Sequence, residues 1–159
     1  MSPRAAWRLE TLGFEEVYDY VDGKVDWMAA GLPTEGTNAQ RPRAGDLARK
    51  DVPTCSLKEK VGDVRSRVDA QGWDAVVVVN DQRVVFGLLG AKELATDPEQ
   101  AIEKAMRPAP STFRPYVSLH EMLHFMVDHK LDTAPITTSD GRLKGLLLQK
   151  DVAAEMEKK

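Results

Sequence analysis

Residues 72–94 read GWDAVVVVNDQRVVFGLLGAKEL, two short apolar strands joined by a polar turn and running into a helix. The pattern returns at residues 131–152 as LDTAPITTSDGRLKGLLLQKDV. Trp73 falls opposite Leu131, Asp74 opposite Asp132, Gly87 opposite Gly145 and Lys92 opposite Lys150, all at one constant offset. A unit that recurs at a fixed spacing is a structural repeat, and its copies are expected to fold alike and bury each other's apolar faces.

Working outward, the β-rich runs Val76–Val79 and Ala134–Thr137 each precede turn chemistry, Asn80-Asp81 in one copy and Ser139-Asp140-Gly141 in the other. Hairpins are expected there, with return strands at Val84–Leu89 and Leu143–Leu148 and helices beginning near Ala91 and Lys150. Upstream, Val61, Val64 and Val68 fall at helical spacing, matched by Leu119, Met122 and Met126, so each copy also carries a helix with one apolar face. Before those helices, ARKDVPTC (Ala48–Cys55) lies against AMRPAPST (Ala105–Thr112), which sets Thr54-Cys55 beside Ser111-Thr112. Neither copy is large enough to cover its sheet alone. The expected fold is α+β, with copies at 46–104 and 105–159 packed sheet to sheet as a pseudo-twofold pair.

Ahead of the repeat, Pro3–Leu12 reads as a helix with Ser2 as cap, Glu15–Tyr20 as a strand, and Lys24–Ala30 as a second helix stopped by Gly31 and Pro33. Val25, Trp27, Met28 and Ala29 suggest that the second helix has a buried face. The polar run 34–45 reads as a linker.

Composition narrows the function. A net charge of -3 over 159 residues gives no basic footprint for nucleic acid. No run approaches the roughly 20 apolar residues of a membrane span, and a single cysteine, Cys55, builds no disulfide framework. The expectation is a soluble cytoplasmic protein with no nucleic-acid or membrane partner.

The AMRPAP segment, the SLHEMLHFMVDHKLDTAPIT helix-strand unit and above all DGRLKGLLLQKDV resemble a pair of CBS domains, named after cystathionine β-synthase. In that family the last segment reads Gly, two aliphatics, Thr or Ser, two variable residues and Asp. The resemblance covers about Gly45 to Lys159. It implies a regulatory module, often a homodimer, that senses an adenosine-containing ligand (AMP, ADP, ATP, S-adenosylmethionine or NAD) in the cleft between the copies and needs no cofactor. The first 33 residues, with LGFEEVYDYVDGKVDWMAAGLP, resemble the last strand and helix of a rhodanese-like domain. There the sulfur-carrying cysteine sits in a loop before the helix matched here by residues 2–14. No catalytic residue is therefore carried over, and a non-catalytic remnant is expected.

For the cleft, the resemblance puts Asp151 and Glu93 on ribose hydroxyls, where a carboxylate accepts a charge-assisted bidentate contact. The phosphate hydroxyl of the family is replaced by Gly90 and Leu148, so Lys92 and Lys150 are the candidates to meet phosphate beside the helix N-termini. Thr54, Cys55, Ser111 and Thr112 offer polar contacts, and Val76, Val77, Ala134 and Pro135 apolar ones, with ordinary sheet core as the alternative, above all for the two valines. The same acids also suit helix N-termini without any ligand, so a structural or dimerisation module that has lost its ligand stays open.

The run His120-Glu121-Met122-Leu123-His124 spells the H-E-x-x-H zinc signature. Its histidines fall away from the apolar face, and Asp128 lies roughly 12 Å further along the axis, too far to complete one site. Cys55 has no histidine near it in the sequence. Neither metal nor catalytic residues, and no enzyme, are expected.

Overall fold

A computed structural model of the chain describes residues 2–36, 39 and 41–158. Strands β1 (Thr54–Cys55), β2 (Val76–Val79), β3 (Val85–Leu89) and β4 (Arg107–Pro108) form one sheet in that order, β1 parallel to β2 and the other pairs antiparallel. Strands β5 (Thr133–Thr137) and β6 (Leu143–Leu148) pair antiparallel. Single bridges extend them on both sides, Phe113 parallel to Ile136 and Arg49 antiparallel to Leu146. These two bridges match Cys55–Val78 and Leu88–Arg107 of the first sheet, so the second sheet repeats the first with shorter outer strands. Each hairpin even carries its register shift at the matching place, between Val78 and Val79 and between Ile136 and Thr137.

The opening segments are exchanged between the copies. Arg107 and Pro108 open the second copy but pair with β3 of the first, while Arg49 opens the first and pairs with β6 of the second. The hairpins also meet directly. Leu143 donates its N–H to the Arg83 carbonyl at 2.8 Å and Val85 donates to that of Gly141 at 3.1 Å. Arg83 and Gly141 are matching residues, both with positive φ, so these two bonds are a pseudo-twofold pair.

Helices α4 (Val61–Ala70) and α7 (Leu119–Asp128) back the two sheets, and α5 (Ala91–Leu94) and α8 (Gln149–Glu157) follow β3 and β6. One-turn helices α3 (Ala44–Leu47) and α6 (Ile102–Ala105) stand at matching positions ahead of each opening segment. The core divides accordingly. Val61, Val64, Val68, Val76, Val78 and Leu89 pack together in the first copy, and Leu119, Met122, Met126, Ala134, Ile136 and Leu147 in the second. Val77, Leu88, Leu143, Leu146 and Leu148 fill the space between the sheets. Because side chains alternate along a strand, the run VVVV serves both layers: Val76 and Val78 face α4 while Val77 faces the other copy. Fully burying one such side chain is worth about 1.5–3 kcal/mol.

Three expectations need correction. The opening segments match at the repeat's own offset, so Cys55 corresponds to Phe113 and Thr54 to Thr112; the pairing of Thr54-Cys55 with Ser111-Thr112 was slipped by one residue. A slip of one turns every strand side chain to the wrong face, and the bridges Cys55–Val78 and Phe113–Ile136 fix the register. Glu15–Tyr20 forms no strand. Glu15, Glu16, Asp19, Tyr18 and Tyr20 are exposed, and an isolated extended segment has no ladder to join. In the extension, α1 (Ser2–Thr11) and α2 (Gly23–Ala29) do form, but on α2 Val25 is 61% exposed while Ala29 is buried. Trp27 donates its indole N–H to the Pro33 carbonyl at 2.6 Å and stacks edge-on with Tyr20. The Ser2 cap and linker residues Thr37, Asn38 and Gln40 lie outside the described side chains and residues.

Candidate functional site

A cavity of about 510 Å³ opens between the copies, lined by residues of both. Its volume lies within the range, roughly 300–1,000 Å³, of small-molecule sites. Leu88, Leu131, Pro135 and Leu148 give apolar walls, Arg107, Lys130 and Lys150 bring positive charge, and Asp74 and Asp132 oppose it. The first turn of α8 reaches this wall through Gln149 and Lys150. No side chain caps that helix, and the Gln149 N–H is satisfied by the Asp132 carbonyl at 2.9 Å. Unfilled amides at a helix start favour an anion.

Of the residues expected in the site, the cavity brings together Lys150, Ser111 and Pro135. The rest are placed elsewhere. Val76 and Ala134 face their own helices, Val77 lies in the layer between the sheets, and all three are fully buried. Thr54 receives Arg67 on its carbonyl at 3.1 Å. Cys55 is buried, and burial, aided by Glu59 and only partly opposed by Arg67, pushes its thiol up to about 12. Lys92 and Thr112 are exposed and do not line the cavity.

The two acids meet arginines. Arg49 donates Nε and Nη2 to Asp151 at 2.8 and 3.1 Å, a bidentate pair joining the first copy's opening to the second copy's last helix. Its mirror is Arg107 Nε to Glu93 at 3.3 Å, and Glu93 also accepts the Gly90 N–H at 2.8 Å, closing its own helix start. Glu93 is thus a cap as well as an ion-pair partner, because its extra methylene lets it fold back on the one-turn helix. The arginines went unrecognised as a pair because the slipped alignment set Arg49 against Met106; at the constant offset Arg49 meets Arg107, and that coincidence is legible in the sequence. Arg49 also lies over Trp73, its guanidinium carbon 5.7 Å from the ring centroid.

The H-E-x-x-H helix is α7. His120 and His124 are exposed, and Glu121 closes a capping box with Ser118, whose Oγ donates to Glu121 Oε2 at 2.9 Å and accepts the Glu121 N–H at 3.2 Å. That carboxylate is committed to the helix start. His129 stacks on Phe125 with centroids 3.9 Å apart.

The family model for the CBS domain matches residues 44–97 and again 101–158. An uncharacterised protein of Methanopyrus kandleri is 25% identical over 116 residues, covering 68% of this chain and 59% of its own length. Among solved structures, the cytosolic domain of the Mg2+ channel MgtE in complex with ATP superposes with a TM-score of 0.66 at 22% identity, over 72% of this chain and 48% of that one. CBSX2 of Arabidopsis thaliana in complex with AMP gives 0.66 at 19%, over 74% and 98%. At such identities the structural likeness is one of fold.

Proposed function

The chain belongs to the CBS-domain family as a tandem pair, and from that premise we propose that it is a regulatory module binding an adenosine-containing nucleotide between its two copies. The observation that carries the reading is the cavity itself. It joins apolar walls suited to a purine with Arg107, Lys130, Lys150 and an uncapped helix start suited to phosphate. The AMP and ATP complexes of similarly folded pairs support the ligand class. Within this reading the nucleotide is one of AMP, ADP, ATP, S-adenosylmethionine or NAD. The module is not an enzyme and acts as a cytoplasmic homodimer on a partner protein. Residues 1–33 are a rhodanese-like segment and 34–45 a linker, supported by the helix order of α1 and α2 and the Gly31-Leu32-Pro33 exit. Among the described residues no helix is long and apolar enough to cross a membrane.

A second reading, a pair that has lost its ligand and only dimerises, is favoured by one observation: Asp151, the acid expected on ribose, is held by Arg49. Thermal unfolding of the full chain with each of the five nucleotides separates the two. The sensor gains roughly 2.7 kcal/mol at a hundredfold excess over the dissociation constant, and Arg107→Ala together with Lys150→Ala removes the gain. No shift with any of the five leaves the dimerisation module.

A further inference from the structure

The two ends of the cleft correspond through the repeat, yet they carry different chemistry. At one end Arg49 lies over the Trp73 ring and grips both carboxylate oxygens of Asp151. At the other, Leu131 stands where Trp73 would, and Arg107 Nε comes only to 3.3 Å from Glu93. The cavity includes Arg107 and Leu131, not Arg49 or Trp73.

We infer that the Arg49 end is closed by the protein's own side chains, so that each chain takes one nucleotide, at the Arg107 end. This rests on the proposed nucleotide-binding reading and adds its stoichiometry and the residues that set it. The argument is one of competition. At Asp151 a guanidinium, with its planar pair of donors, holds the two carboxylate oxygens at 2.8 and 3.1 Å, so a ribose has to displace two short charge-assisted bonds there. The indole fills space that a leucine leaves free, and the guanidinium above it gains a cation–π contact that a nucleotide has to displace. At the other end Glu93 spends one oxygen on its helix start, which leaves the Arg107 guanidinium its weaker partner and free donors for an incoming phosphate. Trp73 and Arg49 therefore decide how many ligands the pair holds.

Isothermal titration of the full chain with ATP, and separately with AMP, tests this. The expected stoichiometry is one per chain for the wild type and for Trp73→Phe, which keeps an aromatic ring under Arg49, and two per chain for Trp73→Leu combined with Arg49→Ala. Arg107→Ala removes the wild-type site. Two sites in the wild type, one site in the double variant, or binding that survives Arg107→Ala each overturn the inference. Binding by the double variant alone keeps the closed end and instead overturns the proposed nucleotide site at Arg107. Binding by neither protein overturns both. Should the double variant not fold, Arg49→Ala alone, altering a side chain 45% exposed, carries the test, with a second, weaker site expected and its absence overturning the closure.

Discussion

The first copy and the second share the hairpin pairing, the register shift and the order of helices, but they do not use their matching residues alike. Cys55 sits where Phe113 does, Trp73 where Leu131 does, and Lys60 where the capping Ser118 does. The backbone positions that make the pair are duplicated, whereas side chains have diverged in the core (Cys55 and Phe113), beside the cleft (Trp73 and Leu131) and at a helix start (Lys60 and Ser118). Packing of two sheets constrains shape on both sides at once, while a cleft wall or a cap is constrained only by what it meets.

The sharpest way to break the comparison is to remove matching core residues. Leu89 and Leu147 are both fully buried, one in each copy's sheet–helix layer, and Leu→Ala at either should cost about 2–5 kcal/mol. Urea unfolding followed by fluorescence and circular dichroism should give one coincident transition for both variants, since the layer between the sheets ties the copies together. Separate transitions would mean that the copies fold independently.

Matching glycines should part company. A Cβ on Gly145 would lie 2.8 Å from the Arg49 carbonyl oxygen, whereas one on Gly87 would press on the flexible Met106 sulfur. Gly145→Ala is expected to cost about 1–3 kcal/mol as an overpacked contact with backbone, and Gly87→Ala less, since the Arg107 carbonyl stands off at 3.1 Å; equal losses in thermal melts would show that the two exchanged segments confine their glycines alike. Helix starts differ too. Ser118→Ala should cost about 1 kcal/mol by removing a capping box, while Lys60→Ala, which loses only an exposed pair with Glu99, should change stability by less than about 1 kcal/mol.

Smaller still are the two inter-copy ion pairs. With Arg49 45% and Asp151 22% exposed, solvent screening holds Arg49→Ala to below about 1 kcal/mol, and the longer Arg107–Glu93 contact to less. Both losses should fade in high salt. For Cys55, whose thiol is raised from 9.0 to about 12, the folded state keeps a proton that the unfolded state gives up. Its contribution to stability is complete below pH 9 and is lost as pH rises from 9 toward 12. Native protein at pH 8 should accordingly resist thiol reagents until denaturant is added, and prompt labelling would show that the site opens.

Much of the fold was legible in the chain. Apolar period, turn residues and the constant offset locate both hairpins, both apolar-faced helices and the α+β pairing, because each is fixed by residues close together in sequence. The one-turn helices α3 and α6 escaped because four residues carry no period, and the strand expected at Glu15–Tyr20 failed because alternation alone does not supply a neighbouring edge. In the site, Lys150, Ser111 and Pro135 were readable from the resemblance and do line the cavity. Arg107 was hidden by the one-residue slip in the opening segments, while Leu131, placed opposite Trp73 by the constant offset, carried no polar group to mark it as a wall of the cleft.

The sequence by itself determined that this protein is two copies of one unit, which residues of each copy are apolar, and which acids begin its closing helices. Only the tertiary structure decided what those acids hold. Arg49 and Asp151 are separated by 102 residues, and they meet because each opening segment crosses to the other copy's sheet. That crossing depends on how two sheets close over a shared layer, a property of the assembled pair that no local pattern encodes.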